Sequence, residues 1–282
     1  MYEDKKECIL SIRGLGKRFG SGCGRCTELT GPSYGTNVCP VCKSVVALHD
    51  VNFDLYDGEI LGIVGESGSG KSSLVQCLYF DQEADFGEAF LKHYNDGTQN
   101  IFTLPSNKKR FIRSHIMGMV YQNPLLGLRI NFTSGGNIAE KLLTADVYNY
   151  EDIRKRGLEL LGKTEIPAHY IDQKPRRLSG GMQQRVQIAK AMANNPPILL
   201  LDEVSTGLDV SVQARVLDLI KSLSQQMKVS MIVVSHDLGV IRLLTNRTMV
   251  LKNGRVVEEG LTDQILEDPQ HNYTQLLVHS ML

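Results

Sequence analysis

Apolar positions along the chain fall into three patterns that alternate from one end to the other. Val45, Ala47, His49, Val51, Phe53 and Leu55 recur with a period of two, the mark of a half-buried strand over 45–55, and Cys8–Arg13 is a shorter apolar-rich run of the same kind. Ile60–Val64, Ile116–Tyr121, Ile198–Leu201 and Val229–Val234 are short, nearly continuous apolar runs. Such runs suit strands buried on both faces of a parallel sheet. Helical spacing is expected over Lys71–Leu78, Ile138–Leu143, Ile153–Leu161, Met182–Ala193, Val210–Leu223 and Leu261–Glu267. Phe86–Phe102 reads as strand with a turn at Asn95–Gly97, and Arg247–Glu258 as a hairpin turned at Asn253-Gly254.

Strands alternating with helices predict an α/β fold built on a parallel sheet. The N-terminal strands form an antiparallel β subdomain, and the mostly helical stretch over 123–180 is read as a helical subdomain set into the sheet. Residues 20–44 are rich in Gly, Cys, Thr and Pro and poor in apolar residues, so they read as an insert. The whole chain, 1–282, is then one domain with internal subdivisions.

Charge narrows the functional classes. Thirty-one basic residues balance thirty-one acidic ones, so the excess of basic charge that a nucleic-acid binder shows is missing. The opening MYEDKKECIL carries no signal-peptide pattern, and no run reaches the roughly 18–20 apolar residues that span a bilayer. A cytoplasmic protein is expected, peripheral at a membrane if other subunits supply the spans.

Gly65-Glu66-Ser67-Gly68-Ser69-Gly70-Lys71-Ser72, with Ser73 next, fits the phosphate-loop pattern between an apolar strand and a helix. Glycines let backbone N–H groups wrap phosphates, the helix adds its positive end, Lys71 reaches the outer phosphates, and Ser72 offers a hydroxyl to Mg²⁺. The apolar run Ile198–Leu201 ends in Asp202 and Glu203. At a strand end, Asp202 can hold the Mg²⁺ shell and Glu203 can polarise an attacking water. Ser179, Gly180 and Gly181 open a third feature, a helix start able to take a second anion. Two phosphate sites more than a hundred residues apart are odd for one ATP, and make sense if each nucleotide is gripped by two subunits.

Together these residues resemble the ATP-binding-cassette superfamily, with every motif in order across essentially the whole chain. The resemblance implies MgATP binding and hydrolysis by a P-loop fold at the interface of a homodimer or a heterodimer of cassettes. It implies that Gln122 senses Mg²⁺ and water, that Ser179, Gly180 and Gly181 meet the γ-phosphate from a partner, that Asp209 crosses the interface, and that His236 is the switch histidine. Phe19 is the expected adenine-stacking ring. Val204 departs from the proline usual after the catalytic glutamate.

Within the superfamily two subgroups compete. Asp209–Ile220 and the tail from Pro269 are similar both to peptide and nickel importer subunits and to the ATP-binding subunit of the carbon–phosphorus lyase system. Asn123–Arg129, Ser134–Leu142, Glu165–Asp172 and His236–Leu244 look like the lyase subunit. That resemblance implies docking on the core of a soluble enzyme that degrades phosphonates; the importer alternative implies docking on transmembrane permease subunits.

Cys23-x-x-Cys26 and Cys39-x-x-Cys42, twelve residues apart, sit inside the insert. Paired C-x-x-C units predict a structural Zn²⁺ knuckle, with an iron–sulfur cluster as the metal alternative. Cys8 and Cys77 lie outside it and are expected to be buried thiols. A non-enzymatic zinc-ribbon adaptor is a third reading, against which Lys71, Asp202, Glu203 and His236 speak.

Overall fold

The structure is a computed structural model that describes residues 7–280. The first six residues, read above for a signal sequence, and Met281 and Leu282 of the tail lie outside the described residues. In chain order the elements are β1 (Cys8–Phe19), β2 (Val45–Tyr56), β3 (Ile60–Val64), α1 (Lys71–Leu78), β4 (Phe86–Leu91), α2 (Ser106–His115), β5 (Met117–Val120), α3 (Pro124–Gly127), α4 (Ser134–Leu143) and α5 (Tyr150–Lys163). There follow α6 (Gly180–Ala191), β6 (Ile198–Asp202), α7 (Val210–Met227), β7 (Ser230–Ser235), α8 (Leu238–Leu244), β8 (Arg247–Lys252), β9 (Arg255–Leu261), α9 (Thr262–Glu267) and α10 (Asn272–His279). Two compact units divide the chain: Met1–Pro105 with Ile232–Leu282, and Ser106–Met231.

The first unit holds a three-stranded antiparallel sheet in the order β2-β1-β4. Ile12 stands between Phe53 on one neighbour and Ala89 on the other, and all three are buried. The period-two pattern of 45–55 is what places Val51, Phe53 and Leu55 on that inner face. In the same unit β3 lies parallel to β8, with Ile63 opposite Met249, and β8 turns back antiparallel into β9. Asn253 and Gly254 at that turn both have positive φ, 46° and 78°, as a two-residue hairpin requires.

In the second unit β5 and β6 run parallel, Met119 opposite Leu200, and every residue of both strands is buried. Their unbroken apolar sequence reflects a sheet covered on both faces. Four of its helices start on side-chain caps that hold otherwise unpaired N–H groups. Thr133 caps α4, Asn149 caps α5, Ser179 caps α6 and Asp209 caps α7.

An α/β fold with a parallel core sheet, an antiparallel β sheet and helical segments is therefore present, as the sequence pattern predicts. Two expectations are corrected. The strand read over 86–102 stops at Leu91; the turn expected at Asn95–Gly97 is present, but a second turn at 101–103 stands where the strand was to resume. Asn95 and Asp96 take left-handed φ values of 47° and 52°, which no strand tolerates, and the Asn100 side chain accepts the Phe102 N–H. Cys8, expected to be buried, is exposed, whereas Cys77 is buried and its thiol is pushed up to about 11 by burial.

Candidate nucleotide site and four-cysteine centre

The phosphate loop joins β3 to α1 in the first unit. Gly65 and Gly70 are needed there for space as well as conformation. A Cβ on Gly65 would lie 2.1 Å from the Leu251 carbonyl oxygen, and one on Gly70 would lie 2.2 Å from that of Ala47. Gly70 is also the cap residue of α1, at φ 111°. Lys71 is buried inside the loop, where its ammonium donates to the carbonyls of Gly65 and Glu66, both at 2.8 Å. The loop is braced from outside as well: the Tyr273 hydroxyl of α10 accepts the Glu66 N–H at 2.9 Å. Lys252 lies over the same ring, 4.4 Å from its centroid. Nothing in the sequence pattern singled out Tyr273; its signal was a lone aromatic in a polar tail.

Also in the first unit, Phe19 ends β1 opposite Val45, with an exposed ring and Lys17 Nζ 5.4 Å from its centroid. His236 is exposed on the turn after β7, and Asp237 beside it caps α8 through the Gly239 N–H at 2.8 Å.

The second unit carries the acidic pair. Asp202 is buried at the end of β6, and Glu203 follows in a left-handed conformation at φ 46°. Gln122, on the loop after β5, donates from Nε2 to Glu203 Oε2 at 2.9 Å, and the Thr206 hydroxyl donates to the same oxygen at 3.3 Å. The structure thus brings together two residues 81 positions apart that the sequence reading assigned to one reaction.

What holds Gln122 there was not read from the sequence. Gln187 of α6 is buried and pairs with the backbone of Tyr121 through both ends of its amide. Its Oε1 accepts the Tyr121 N–H at 2.9 Å and its Nε2 donates to the Tyr121 carbonyl at 3.0 Å. Gln184 donates to that carbonyl too, at 3.4 Å. Two buried glutamines one turn apart on a helix were the available signal.

Ser179 and Gly180 stand exposed at the start of α6, while Gly181 is buried. A Cβ on Gly181 would lie 2.3 Å from Val212 Cγ1, so this glycine is fixed by the close approach of α6 to α7. Asp209 accepts from the Ser211 hydroxyl at 2.7 Å and the Val212 N–H at 3.0 Å. Those two bonds, the Ser211 hydroxyl first, hold its carboxyl below the usual range.

The four cysteines of the insert converge. Their Sγ atoms all lie within 4.8 Å of one another, with Cys26–Cys42 at 3.3 Å, Cys23–Cys26 at 3.6 Å and Cys23–Cys39 at 3.7 Å. No pair is at bonding distance for a disulfide, and all four thiols are free. A tetrahedron around one ion with metal–sulfur bonds of about 2.3 Å has sulfur–sulfur edges of about 3.8 Å. Backbone N–H groups also point at the sulfurs: Cys23 N–H lies 3.1 Å from Cys26 Sγ. The Ser44 hydroxyl and N–H draw Cys42 down to about 6, and the Cys42 and Val41 N–H groups lower Cys39. The Cys23 N–H favours the Cys26 thiolate, but burial and the neighbouring sulfurs outweigh it and push that thiol up to about 12. The four sulfurs could hold one metal ion, and the donor set fits a single divalent ion.

The family described as ABC transporter matches residues 48–206, and the chain belongs to it. It is an ATPase of that family. Over 83% of its length it is 47% identical to a protein named for phosphonates utilization, the ATP-binding protein PhnK of Escherichia coli (strain K12), covering 90% of that protein. It is 41% identical, over 83% of its length, to a protein of Brucella abortus (strain 2308) named for peptide import and ATP binding, and covers 71% of it. The dimeric ATP-binding cassette MJ0796, in a post-hydrolysis state bound to ADP and Pi, superposes with a TM-score of 0.75 at 29% identity, over 90% of this chain and 99% of that one. Among the described residues no helix is long and apolar enough to cross a membrane.

Proposed function

We propose that this chain binds MgATP on the loop 65–73 and hydrolyses it in a dimer of cassettes, driving conformational change in the core of a carbon–phosphorus lyase. The observation that carries the catalytic half is the Gln122–Glu203 hydrogen bond at 2.9 Å. It ties a carboxylate after a buried strand to an amide that can orient water, an arrangement suited to a general base. Lys71 and the loop N–H groups bind the phosphates, and Phe19 offers an exposed ring for the base. Ser179, Gly180 and Asp209 serve the partner's nucleotide, and His236 supports the terminal phosphate. The Ser72 hydroxyl, the Asp202 carboxylate and the Gln122 amide are each oxygen donors of the kind Mg²⁺ takes, and the ion would neutralise charge on the phosphate oxygens.

The lyase assignment is supported by the relative named for phosphonates utilization, which is more similar than the peptide-import proteins. Those proteins, together with an oligopeptide transport ATP-binding protein of Bacillus subtilis at 38% identity, support a second reading, the ATPase of an importer. On the first reading the protein works in the cytoplasm on soluble partners, and on the second at permease subunits. The four-cysteine centre is proposed to hold one structural Zn²⁺. A cluster binds its cysteines through different irons, which calls for sulfurs further apart than 3.3–3.7 Å.

Affinity purification of the chain carrying Glu203→Gln, in the presence of MgATP, tests both halves. Nucleotide is expected to be retained with turnover lost, and lyase-core subunits to co-purify. Full turnover in that variant removes Glu203 from its role, and co-purifying permease subunits select the importer.

A further inference from the structure

The four-cysteine knuckle bonds the phosphate loop at the Gly68 carbonyl, and it is tied through Arg255 to the β8–β9 turn that bonds the next carbonyl, Ser69. Asn37, between the two cysteine pairs, donates from its side-chain amide to the Gly68 carbonyl at 3.1 Å. Its own carbonyl accepts the Val46 N–H at 2.8 Å, which fixes it to β2. The next carbonyl of the loop, Ser69, accepts the Gly254 N–H at 2.8 Å. Gly254 precedes Arg255, whose guanidinium donates into the knuckle, to the carbonyls of Thr27 at 2.7 Å and Thr30 at 3.3 Å. That guanidinium also fills the space where a side chain on Gly31 would stand, 2.6 Å from the position of its Cβ.

These contacts bear on anion binding because a trans peptide is rigid and planar. Holding the Ser69 carbonyl outward turns the Gly70 N–H to the opposite side. Holding the Gly68 carbonyl does the same for the Ser69 N–H, which closes the loop's turn onto the Glu66 carbonyl at 3.1 Å. A phosphate cradle depends on that orientation of its N–H groups. The knuckle has few apolar side chains to fold on; its buried cluster is Cys26 and Cys39 against Val46, with Cys23 and Cys42 packed on it. Its shape therefore depends on what joins the sulfurs.

We propose that the metal-filled knuckle is a positioning element for the phosphate loop, so that metal occupancy sets nucleotide affinity through Asn37 and Arg255. This rests on the metal reading of the four cysteines made above. It gives the insert a role in ATP binding that the cysteines alone do not announce: the ion is remote from the nucleotide chemistry and acts by stiffening the loop.

The test uses the full chain in three states: as purified with its zinc and iron measured, stripped with a thiol-metal chelator, and reloaded with zinc. MgADP binding is followed by calorimetry in each. Stripping is expected to weaken MgADP binding about tenfold or more, and zinc to restore it. Asn37→Ala, which keeps all four cysteines, is expected to keep its metal and lose up to about tenfold in affinity, the worth of one hydrogen bond. In the stripped protein the same substitution is expected to cost nothing further. Bound metal with unchanged MgADP affinity after stripping, or in Asn37→Ala, overturns the proposal. Absence of any bound metal, before and after zinc addition, overturns the metal reading and this control with it; a loss in Asn37→Ala would then mark a metal-free tether, a separate result.

Discussion

Replacing Gln187 by Leu removes an amide and leaves a side chain of similar bulk. Gln187 is 1% exposed and satisfies both the N–H and the carbonyl of Tyr121, at 2.9 and 3.0 Å. A polar group left unpaired in a buried setting costs about 1–3 kcal/mol. The carbonyl keeps a weaker contact from Gln184 at 3.4 Å, so the combined loss falls at about 2–3 kcal/mol. Urea unfolding measures that loss directly. The consequence for turnover follows from sequence adjacency: Tyr121 anchors the backbone that carries Gln122, and Gln122 is bonded to Glu203. Steady-state kinetics should show kcat down about tenfold or more with KM for MgATP nearly unchanged, since each 1.36 kcal/mol of barrier is a decade in rate. Gln187→Glu should be at least as harmful as Gln187→Leu, because it buries a carboxylate whose oxygen faces the Tyr121 carbonyl at 3.0 Å, where it cannot donate. A Gln187→Leu protein that unfolds at the wild-type urea concentration and turns over ATP at the wild-type rate would refute this reasoning.

Two other perturbations read separate parts of the molecule. Tyr273→Phe withdraws the hydroxyl that accepts the Glu66 N–H; because Glu66 itself is exposed and water can replace the bond, a loss of about 1 kcal/mol is expected, seen as weaker MgADP binding in calorimetry. Glu140 pays a burial cost for its charge, yet Arg129 at 2.7 Å and Lys190 at 2.9 Å overcome it and hold its carboxyl below the usual glutamate range. A folded-state value below the unfolded one means that this ion pair stabilises the protein above the unfolded value near 4.3 and stops doing so as pH falls through the folded value. Glu140→Gln should therefore cost about 0.5–1 kcal/mol at pH 7 and progressively less below pH 4, checked by urea unfolding across that range.

How much of this was open to sequence reading depended on whether a feature is local. The β3–loop–α1 segment is written in consecutive residues, so both its boundaries and its chemistry are legible from Ile60–Val64, the glycines and Lys71. The Asn253-Gly254 turn is local in the same sense, and so is the period-two run in β2 over 51–55; over 45–49 the alternation is lost, with Val46 and Leu48 buried and Asp50 left-handed at φ 52°. In Phe86–Phe102 the turn at Asn95–Gly97 was legible, but no strand returns after it, because the Asn100 side chain accepts the Phe102 N–H and starts a second turn. Helices α2, α8 and α10 escaped notice for a different reason: they are short or strongly polar, and packing rather than periodicity makes them helical. At the site, the partnership of Gln122 with Glu203 was anticipated as chemistry but not as a contact. The roles of Gln187, Tyr273 and Asn37 were not read, since each works by bonding backbone far away in sequence, and backbone groups carry no residue-type signature.

Glu203 holds its carboxylate on a backbone that favours another residue. At φ 46° a side chain with a Cβ is disfavoured by about 1 kcal/mol or more, and glycine or asparagine would sit there more easily. The bonds from Gln122 and Thr206 to its carboxylate offset part of that strain. Selection for thermal robustness alone would thus erode this position, and laboratory evolution toward a sturdier variant should be watched for silent loss of turnover here.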